Sequence, residues 1–168
     1  MRPALTFASV ALAALAAIGA RSGSVDSRGD QQAVAGVLDD CHAAAAAADD
    51  EERYFAHMTE DAVFLGTDPA ERWTAAQFRS YAHPYFAKGK VWSFRSLRRA
   101  VTVSKDGSAA WFDEDLATPN LGSARGSGVL VRDGSTWRIA QYNLSVPIPN
   151  GVFTQVKDVV ARAAAGQP

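Results

Sequence analysis

Trp137-Arg-Ile-Ala-Gln-Tyr-Asn-Leu-Ser-Val-Pro-Ile-Pro-Asn150 is the stretch of this 168-residue chain that most clearly indicates its fold. Alternate residues of a β-strand point to the same side of a sheet, so every second side chain here shares a face. One such face carries, in chain order, Trp137, Ile139, Gln141, Asn143 and Ser145. A face that begins apolar and ends polar is typical of a strand that lines a cavity, with hydrogen-bonding groups toward the mouth.

Three further strand patterns precede this segment, and all four are separated by turns or short loops. A period of two runs through 91–104, 108–117 and 123–131. The sequences at 105–107 and 132–134 both end in Asp-Gly and predict tight hairpin turns. In the first strand the phase of the apolar residues slips near Ser96, which predicts a β-bulge that bends the sheet. The four strands therefore predict an antiparallel meander.

The remainder of the domain shows helical periodicity. Apolar spacing predicts a helix at 30–48 and a short second helix that begins after Asp49 or Asp50, followed by a strand at 62–67. Thr74 and Gln77 have the spacing of a capping box, which opens a third helix. Pro84 predicts a kink or break within that helix. Helices followed by an antiparallel sheet indicate an α+β fold. We expect a cone, with a strongly bent antiparallel sheet wrapped around the N-terminal helices and enclosing a pocket.

The composition of both ends of the chain differs from that of the domain between them. A single Arg followed by a long Ala- and Leu-rich run predicts a cleaved signal peptide at 1–22, with an uncleaved anchor as the alternative. A polar linker follows at 23–30, the domain occupies 31–150, and an amphipathic helix and tail fill 151–168. These features predict a periplasmic or secreted protein that has no membrane association once the signal is removed.

Charge and cysteine content narrow the possible partners. A net charge of −1 without a basic stripe argues against a nucleic-acid partner, and we interpret Arg95, Arg98 and Arg99 as a solvated face. The single cysteine, Cys41, excludes an intrachain disulfide and a zinc site built from cysteines. The three histidines lack metal-ligand spacing on one element. We therefore expect no metal and no cofactor.

The register of the last hairpin determines which polar residues enter the cavity. A three-residue loop at 132–134 pairs Val129 with Trp137 and groups large apolar side chains on one face, so we favour it. A two-residue loop would instead pair Leu130 with Trp137 and send Arg125 to the other face. The favoured register brings four polar residues to the cavity: Arg125, Ser127, Gln141 and Asn143.

Three consecutive acids at 113–115 supply the candidate carboxylates. Trp111 is in phase with Asp113, which favours Asp113 as the inward residue. Phe112 is in phase with Glu114, so the opposite assignment is nearly as strong. Either carboxylate could form a structural ion pair with Arg125 on the next strand. Alternatively, it could act as a base beside Arg125 at a site for an anion or a carbonyl oxygen.

Aromatic residues before and within the sheet are candidates for the cavity wall. Those we expect there are Tyr54, Phe64, Trp73, Tyr81 and Trp111. Since a single aromatic residue is more often plain core, we expect at least half of this set to have no contact with a ligand.

Several stretches resemble one superfamily over residues 30–150. They are Phe64-Leu-Gly-Thr-Asp68, Glu71-Arg-Trp-Thr74, Ala110-Trp-Phe-Asp-Glu114, Arg125-Gly-Ser-Gly-Val-Leu-Val131, Trp137-Arg-Ile-Ala-Gln-Tyr142 and Pro147-Ile-Pro149. On these residues the chain resembles the SnoaL-like branch of the nuclear transport factor 2-like superfamily. The resemblance implies the conical fold and a homodimer. Fold alone does not select an activity, because the superfamily includes cyclases, isomerases, dehydratases and domains that only bind or dimerise.

Three hypotheses for function follow. The first is a domain that binds a small, largely apolar molecule with a carbonyl or carboxylate group. The second, implied by the resemblance, is an isomerase, cyclase or dehydratase with Asp113 or Glu114 as general base and Arg125 as electrostatic stabiliser. Similar sequences often carry His where this chain has Asn143, which weakens acid–base chemistry there. The third is a non-catalytic dimerisation or interaction domain. Whether the protein is an enzyme stays open at this stage.

Overall fold

The computed structural model describes residues 27–48, 50–89 and 92–166. The predicted signal peptide at 1–22 lies outside the described residues. The first helix begins at Ser27, so the second half of the expected linker at 23–30 is already helical.

Among the described residues, four α-helices surround or follow the sheet. Their bounds are α1 Ser27–Ala46, α2 Glu51–Ala56, α3 Ala75–Phe86 and α4 Phe153–Ala165, with a short 3-10 helix at Asn150–Val152. The capping box is confirmed, since the Thr74 hydroxyl accepts from the Gln77 backbone N–H and the Gln77 side chain accepts from the Thr74 N–H. α3 accommodates Pro84 and ends two residues later.

Six strands form one curved, unclosed sheet. They are β1 Met58–Leu65, β2 Arg72–Thr74, β3 Arg95–Val103, β4 Ala109–Thr118, β5 Gly122–Asp133 and β6 Thr136–Ser145, in the order β2-β1-β6-β5-β4-β3. The antiparallel meander is confirmed. The sheet is larger than this meander, because β1 adds to β6 in parallel and β2 pairs antiparallel with β1. Together with the N-terminal helices the sheet forms the expected α+β cone.

Two register shifts bend the meander. One lies between Ser96 and Arg98, where the sequence predicts a bulge. The other lies in β6, where Leu130 pairs with Ile139 but the preceding Val129 pairs with Gln141. Ala140 is therefore an extra residue without a partner on β5. A bulge switches the face of every residue beyond it, because side chains alternate along a strand.

The register predicted for the last hairpin is wrong. Arg132 pairs with Trp137 and Arg125 pairs with Ser145, across a two-residue turn at 134–135. Gly134 has a φ of 61°, a left-handed conformation that glycine adopts without strain. The turn therefore begins two residues later than the expected loop at 132–134 and is one residue shorter.

The core lies between α1 and the concave face of the sheet. α1 contributes Val34, Leu38, Cys41, Ala44 and Ala45, all of them buried. Small residues near its end let the helix approach the sheet closely. Burial, with the nearby Glu114 and Asp40 carboxylates, raises the pKa of the Cys41 thiol to about 12, so it is a neutral core residue.

α4 differs from the other helices because no residue of Phe153–Ala165 is buried. It packs against the 3-10 helix before it and leaves Phe153, Val159 and Val160 more than half exposed. Within 27–48, 50–89 and 92–166, no helix is both long and apolar enough to cross a bilayer.

We expect Gly128→Ala to destabilise the fold at the β6 bulge. A Cβ there would overlap the backbone oxygen of Gln141 and lie 3.0 Å from the Phe112 ring, and backbone cannot move aside cheaply. Urea denaturation should show a loss of about 1–3 kcal/mol in the free energy of unfolding. The control is Gly36→Ala in α1, which has open space and should gain about 0.5–1 kcal/mol. Equal effects of the two substitutions would contradict the close approach of β5 and β6.

Candidate functional site

A cavity of about 200 Å³ opens between α2, α3 and the concave face of the sheet. Its lining comes from most elements of the cone, together with the loops that follow β1 and β4. The lining residues are Tyr54, Phe64, Gly66, Thr67, Glu71, Trp73, Phe78, Tyr81, Trp92, Phe94, Thr118, Asn120, Leu121 and Leu144. Half of these side chains are aromatic.

The aromatic residues pack against one another and form a continuous wall. Phe78 of α3 stacks on Phe64 of β1 with a centroid separation of 4.0 Å, and on Trp73 of β2 at 5.5 Å. Trp73 in turn stacks on Tyr81 at 4.7 Å, and Tyr81 lies 6.4 Å from Trp92. Such offset stacking adds to the stabilisation that burial provides and fixes the ring planes. The wall is therefore preorganised for a flat or compact apolar ligand.

Glu71 is the only charged residue among the described residues that line the cavity. Its Oε2 accepts a hydrogen bond from the Asp68 backbone N–H at 3.2 Å. The carboxylate lies directly against Gly66, where any Cβ would overlap it. The bare backbone of Gly66 therefore provides the space in which this carboxylate is held at the wall of the cavity.

Neutral polar groups complete the lining. Thr118 lies at the end of β4, and Asn120 lies in the loop beyond it. The hydrogen bond with Tyr85, together with partial burial and the charges of Tyr85 and Glu71, raises the pKa of Tyr81 to about 12. Its phenol stays protonated at neutral pH and can donate a hydrogen bond.

A second polar cluster lies deeper in the cone, around Glu114 of β4, whose exposed fraction is 0%. Arg99 of β3 donates to its Oε2 from Nε at 2.9 Å and approaches it with Nη2 at 2.8 Å. His42 of α1 places Nε2 3.1 Å from Oε1, and the Tyr142 hydroxyl of β6 donates to the same oxygen at 3.1 Å. The cluster thus joins α1 to three strands.

The environment of Glu114 favours its ionised form. Burial alone raises the pKa of the carboxyl, but the hydrogen bond and charge of His42, with the charge of Arg99, lower it further than burial raises it. The net pKa therefore lies below its ordinary value. Arg99 is itself held by the Ala35 carbonyl at 3.1 Å and by Asp39 at 2.8 Å. A carboxylate held by this set of donors is a weak proton acceptor.

Gly126 makes room for this cluster. It faces Glu114 across the β4–β5 ladder, and a Cβ there would overlap the Tyr142 hydroxyl and lie 2.9 Å from Glu114 Oε1. An aromatic layer then separates the cluster from the cavity, with Phe94 5.8 Å from the His42 ring and Phe64 stacked on Tyr142 at 5.7 Å. Glu114 does not line the cavity.

The structure brings together four of the five predicted wall residues and moves one away. Tyr54, Phe64 and Trp73 line the cavity, as does Tyr81. Trp111 lies instead on the outer face of the sheet with an exposed fraction of 50%. It alternates with the inward Phe112 and Glu114, and Asp113 shares its outward face. Of the two candidate carboxylates, the structure therefore buries Glu114 and exposes Asp113.

The four polar residues expected in the cavity lie on the outer face. They are Arg125, Ser127, Gln141 and Asn143. Gln141 and Asn143 face outward because the extra residue Ala140 turns Tyr142 and Leu144 inward. Arg125 and Ser127 face outward because the two-residue turn at 134–135 places the other set of alternating β5 residues on the inner face. Arg125 is 51% exposed and lies 3.7 Å from Asp115, so it forms a surface ion pair and has no contact with a ligand in the cavity.

Sequence reasoning missed most of the polar residues inside the cone. The sequence predicts a solvated basic face that includes Arg99, but Arg99 lies inward because the bulge between Ser96 and Arg98 sets the phase of the residues that follow it. His42 lies on the apolar stripe of α1, one residue after Cys41, and that position could have indicated burial. Among the described residues no group of three or more His, Cys, Asp or Glu could hold a metal ion.

Comparison with known proteins assigns the family. Residues 34–149 match the SnoaL-like domain, so the chain belongs to this family within the nuclear transport factor 2-like superfamily. A search of curated proteins finds no match. Solved structures that share the fold include an NTF2-like protein of unknown function from Pseudomonas putida KT2440, with a TM-score of 0.62 and 14% identity. The alignment covers 74% of this chain and 91% of that chain.

Two further structures with the same fold carry names that suggest enzymes. A candidate scytalone dehydratase from Novosphingobium aromaticivorans DSM 12444 gives a TM-score of 0.59 and 10% identity over 72% of this chain and 86% of that chain. A candidate ketosteroid isomerase from Parabacteroides distasonis ATCC 8503 gives a TM-score of 0.54 and 16% identity. That alignment covers 69% of this chain and 86% of that chain. At these identities the similarity shows the fold alone.

We expect Glu114→Gln to destabilise the protein strongly. The amide cannot balance the buried charge of Arg99, and breaking a buried ion pair from one side costs about 3–5 kcal/mol. The control is Asp113→Asn, the neighbouring acid on the outer face, which should leave the free energy of unfolding nearly unchanged. Chemical denaturation measures both. Similar values for the two variants would contradict the buried cluster.

The same pair of proteins, wild type and Glu114→Gln, should differ in a pH-dependent way. The folded-state pKa of Glu114 lies below its ordinary value of 4.5, so the ionised carboxylate stabilises the fold at neutral pH. This contribution is lost as the pH falls from about 4.5 through the lower folded-state pKa. The difference in unfolding free energy should therefore shrink in acid. A difference that stays constant from neutral pH to about pH 3 would refute the assignment.

Proposed function

We propose that this domain binds a small, largely apolar molecule in the aromatic cavity. The observation that carries the proposal is a preformed cavity of about 200 Å³ with seven aromatic side chains in its lining. An apolar cavity of about 150 Å³ is already large enough to bind benzene. The space therefore suits a ligand of one or two rings or a compact branched group.

Polar groups in the lining narrow the chemistry of such a ligand. Thr118 and Asn120 can donate hydrogen bonds to a carbonyl or hydroxyl oxygen. A carboxylate ligand is disfavoured, because Arg125 lies outside the cavity and Glu71 would repel a second negative charge. We therefore narrow the expected carbonyl or carboxylate group to a carbonyl or hydroxyl.

The residues considered as catalytic in an isomerase, cyclase or dehydratase lie where they support binding better than catalysis. Asp113 and Arg125 lie on the outer face, remote from the cavity lining. Glu114 is buried behind the aromatic layer with its oxygens engaged by Arg99, His42 and Tyr142. A general base must reach the proton that it removes, and none of the three candidates reaches the cavity.

Location and assembly follow from the sequence rather than the cavity. We infer a periplasmic or secreted protein from the apolar, Ala-rich segment at 1–22. We also infer a homodimer, as the family resemblance implies. The exposed Trp111 on the outer face and the uncovered apolar residues of α4 support an additional protein contact.

We expect 2-naphthol, a neutral two-ring compound with one hydroxyl, to bind and to quench tryptophan fluorescence, because Trp73 and Trp92 line the cavity. Trp73→Leu should weaken binding about 5- to 30-fold, the loss of one stacked ring contact of about 1–2 kcal/mol. Trp111→Leu, on the outer face, is the matched control and should bind as the wild type does. Calorimetric titration checks all three proteins.

Two results would contradict the proposed binding site. One is an absence of saturable binding by 2-naphthol to wild-type protein that denaturation shows to be folded. The other is an equal loss of affinity in Trp73→Leu and Trp111→Leu, since that would place the compound outside the cavity.

Trp111→Glu should weaken the proposed homodimer, because it places a charge within an exposed apolar site on the outer face. Sedimentation velocity over a range of concentrations should show a dimer for the wild type and a shift toward monomer for the variant. A monomeric wild type at all concentrations would reject the dimer and leave the cavity proposal intact.

A further inference from the structure

We infer that the ligand of this cavity carries a positive charge, as a quaternary ammonium or protonated amine group held between the aromatic wall and the Glu71 carboxylate. This inference rests on the proposed function, since it requires that the cavity binds a small molecule. It specifies the class of ligand within that proposal, an apolar organic cation, and it assigns a role to a residue outside the buried cluster.

The aromatic lining of the cavity provides rings that can attract a cation. The negative faces of Trp, Tyr and Phe attract a cation within about 6 Å of the ring centroid, and cages of several such rings are a known means of recognising alkylammonium groups. Trp73, Tyr81 and Trp92 come from β2, α3 and the segment before β3. Three separate segments therefore place rings that are rich in π electrons around one space.

The carboxylate of Glu71 provides a negative charge at the same cavity. Its residue is partly buried, and no described Lys, Arg or His forms an ion pair with it, whereas most other acids of the sheet and helices have such partners. Its contact within the described residues is the backbone N–H of Asp68. Placing an anion at the wall of an apolar cavity without a cation is costly, and a cationic ligand would offset that cost.

The aromatic rings and the Glu71 carboxylate belong to one site. Glu71 lies two residues before Trp73 in the chain, and Glu71, Trp73 and Tyr81 all line the same cavity. Tyr81 stacks on Trp73 at 4.7 Å. A cation that contacts these rings therefore also lies within the field of the Glu71 carboxylate.

The chemistry favours an organic cation over the alternatives. An anion meets only repulsion from Glu71, because no described lining residue is basic. A bare metal ion finds one carboxylate, and the described residues hold no group of three His, Cys, Asp or Glu around it. An alkylammonium group has both an apolar surface for the aromatic wall and a charge for the carboxylate.

The experiment compares two probes of the same shape that differ by one charge, choline and 3,3-dimethylbutan-1-ol. Each is titrated calorimetrically into the full-length chain, with 2-naphthol as a third, neutral aromatic probe. We expect choline to bind at least about tenfold more tightly than the alcohol, the order of a partly desolvated cation–π contact with a nearby carboxylate. Choline should also displace 2-naphthol.

Glu71→Gln tests the role of the carboxylate. The amide oxygen can still accept from the Asp68 N–H, so the loop should keep its structure, and a denaturation midpoint checks this. The variant should lose most of the preference for choline and bind the alcohol unchanged. Glu60→Gln, an exposed acid on β1 that does not line the cavity, is the matched control and should keep the preference.

Each remaining outcome has a definite meaning. If choline and the alcohol bind equally, or if only 2-naphthol binds, the inference is wrong and the proposed function stands. If a preference for choline survives in Glu71→Gln, the assignment to Glu71 is wrong. If none of the three probes binds, both the inference and the proposed function fail.

Discussion

The extra residue Ala140 in β6 determines which side chains enter the cone. Before it, Trp137 and Ile139 point to the concave face; after it, Tyr142 and Leu144 do. Without the bulge the concave face would receive the carboxamides of Gln141 and Asn143 and lose the side chains of Tyr142 and Leu144. Tyr142 is the residue of this pair that donates to Glu114. The bulge thus keeps the inner face of β6 apolar along its whole length and leaves hydrogen bonding in the cavity to the loops at its mouth.

The polar groups of the molecule are divided between two places with different physical roles. At the closed end, the Glu114 carboxylate joins α1 to β3 and β6 through donors on all sides. Both carboxylate oxygens of Glu114 are engaged, so the cluster fixes one arrangement of helix and sheet, and leaving one member unpaired would be costly. At the mouth, Glu71 has a single backbone donor and faces the aromatic wall. The first carboxylate holds the fold together, while the second forms no ion pair with a described residue.

Much of the architecture was predictable because it follows from periodicity. The strands, the turns, the Thr74 capping box and the Ser96 bulge all have local signals. The β6 bulge has the same signal, a change of phase from Trp137 and Ile139 to Tyr142 and Leu144. This signal is hard to recognise, because Gln141 and Asn143 continue the alternation of Trp137 and Ile139 and can equally be interpreted as the polar mouth of a cavity.

The site was less predictable than the fold, because its residues meet only in three dimensions. Arg99 follows Arg98 in the chain, so the two side chains lie on opposite faces of the strand, and the bulge between Ser96 and Arg98 determines which of them is buried. Glu71 lies in a loop without periodicity, and its position against Gly66 depends on the fold of that loop. Local patterns can identify aromatic residues, but they cannot say which of them surround one space.

The inner face of bulged β6 contributes Leu144 to the cavity, and its outer face contributes none of the lining residues. Intermolecular nuclear Overhauser effects between bound 2-naphthol and the protein test it directly. We expect contacts from the aromatic protons of the compound to the Leu144 methyl groups, and none to the side-chain amides of Gln141 and Asn143. Contacts to those amides in place of Leu144 would contradict it.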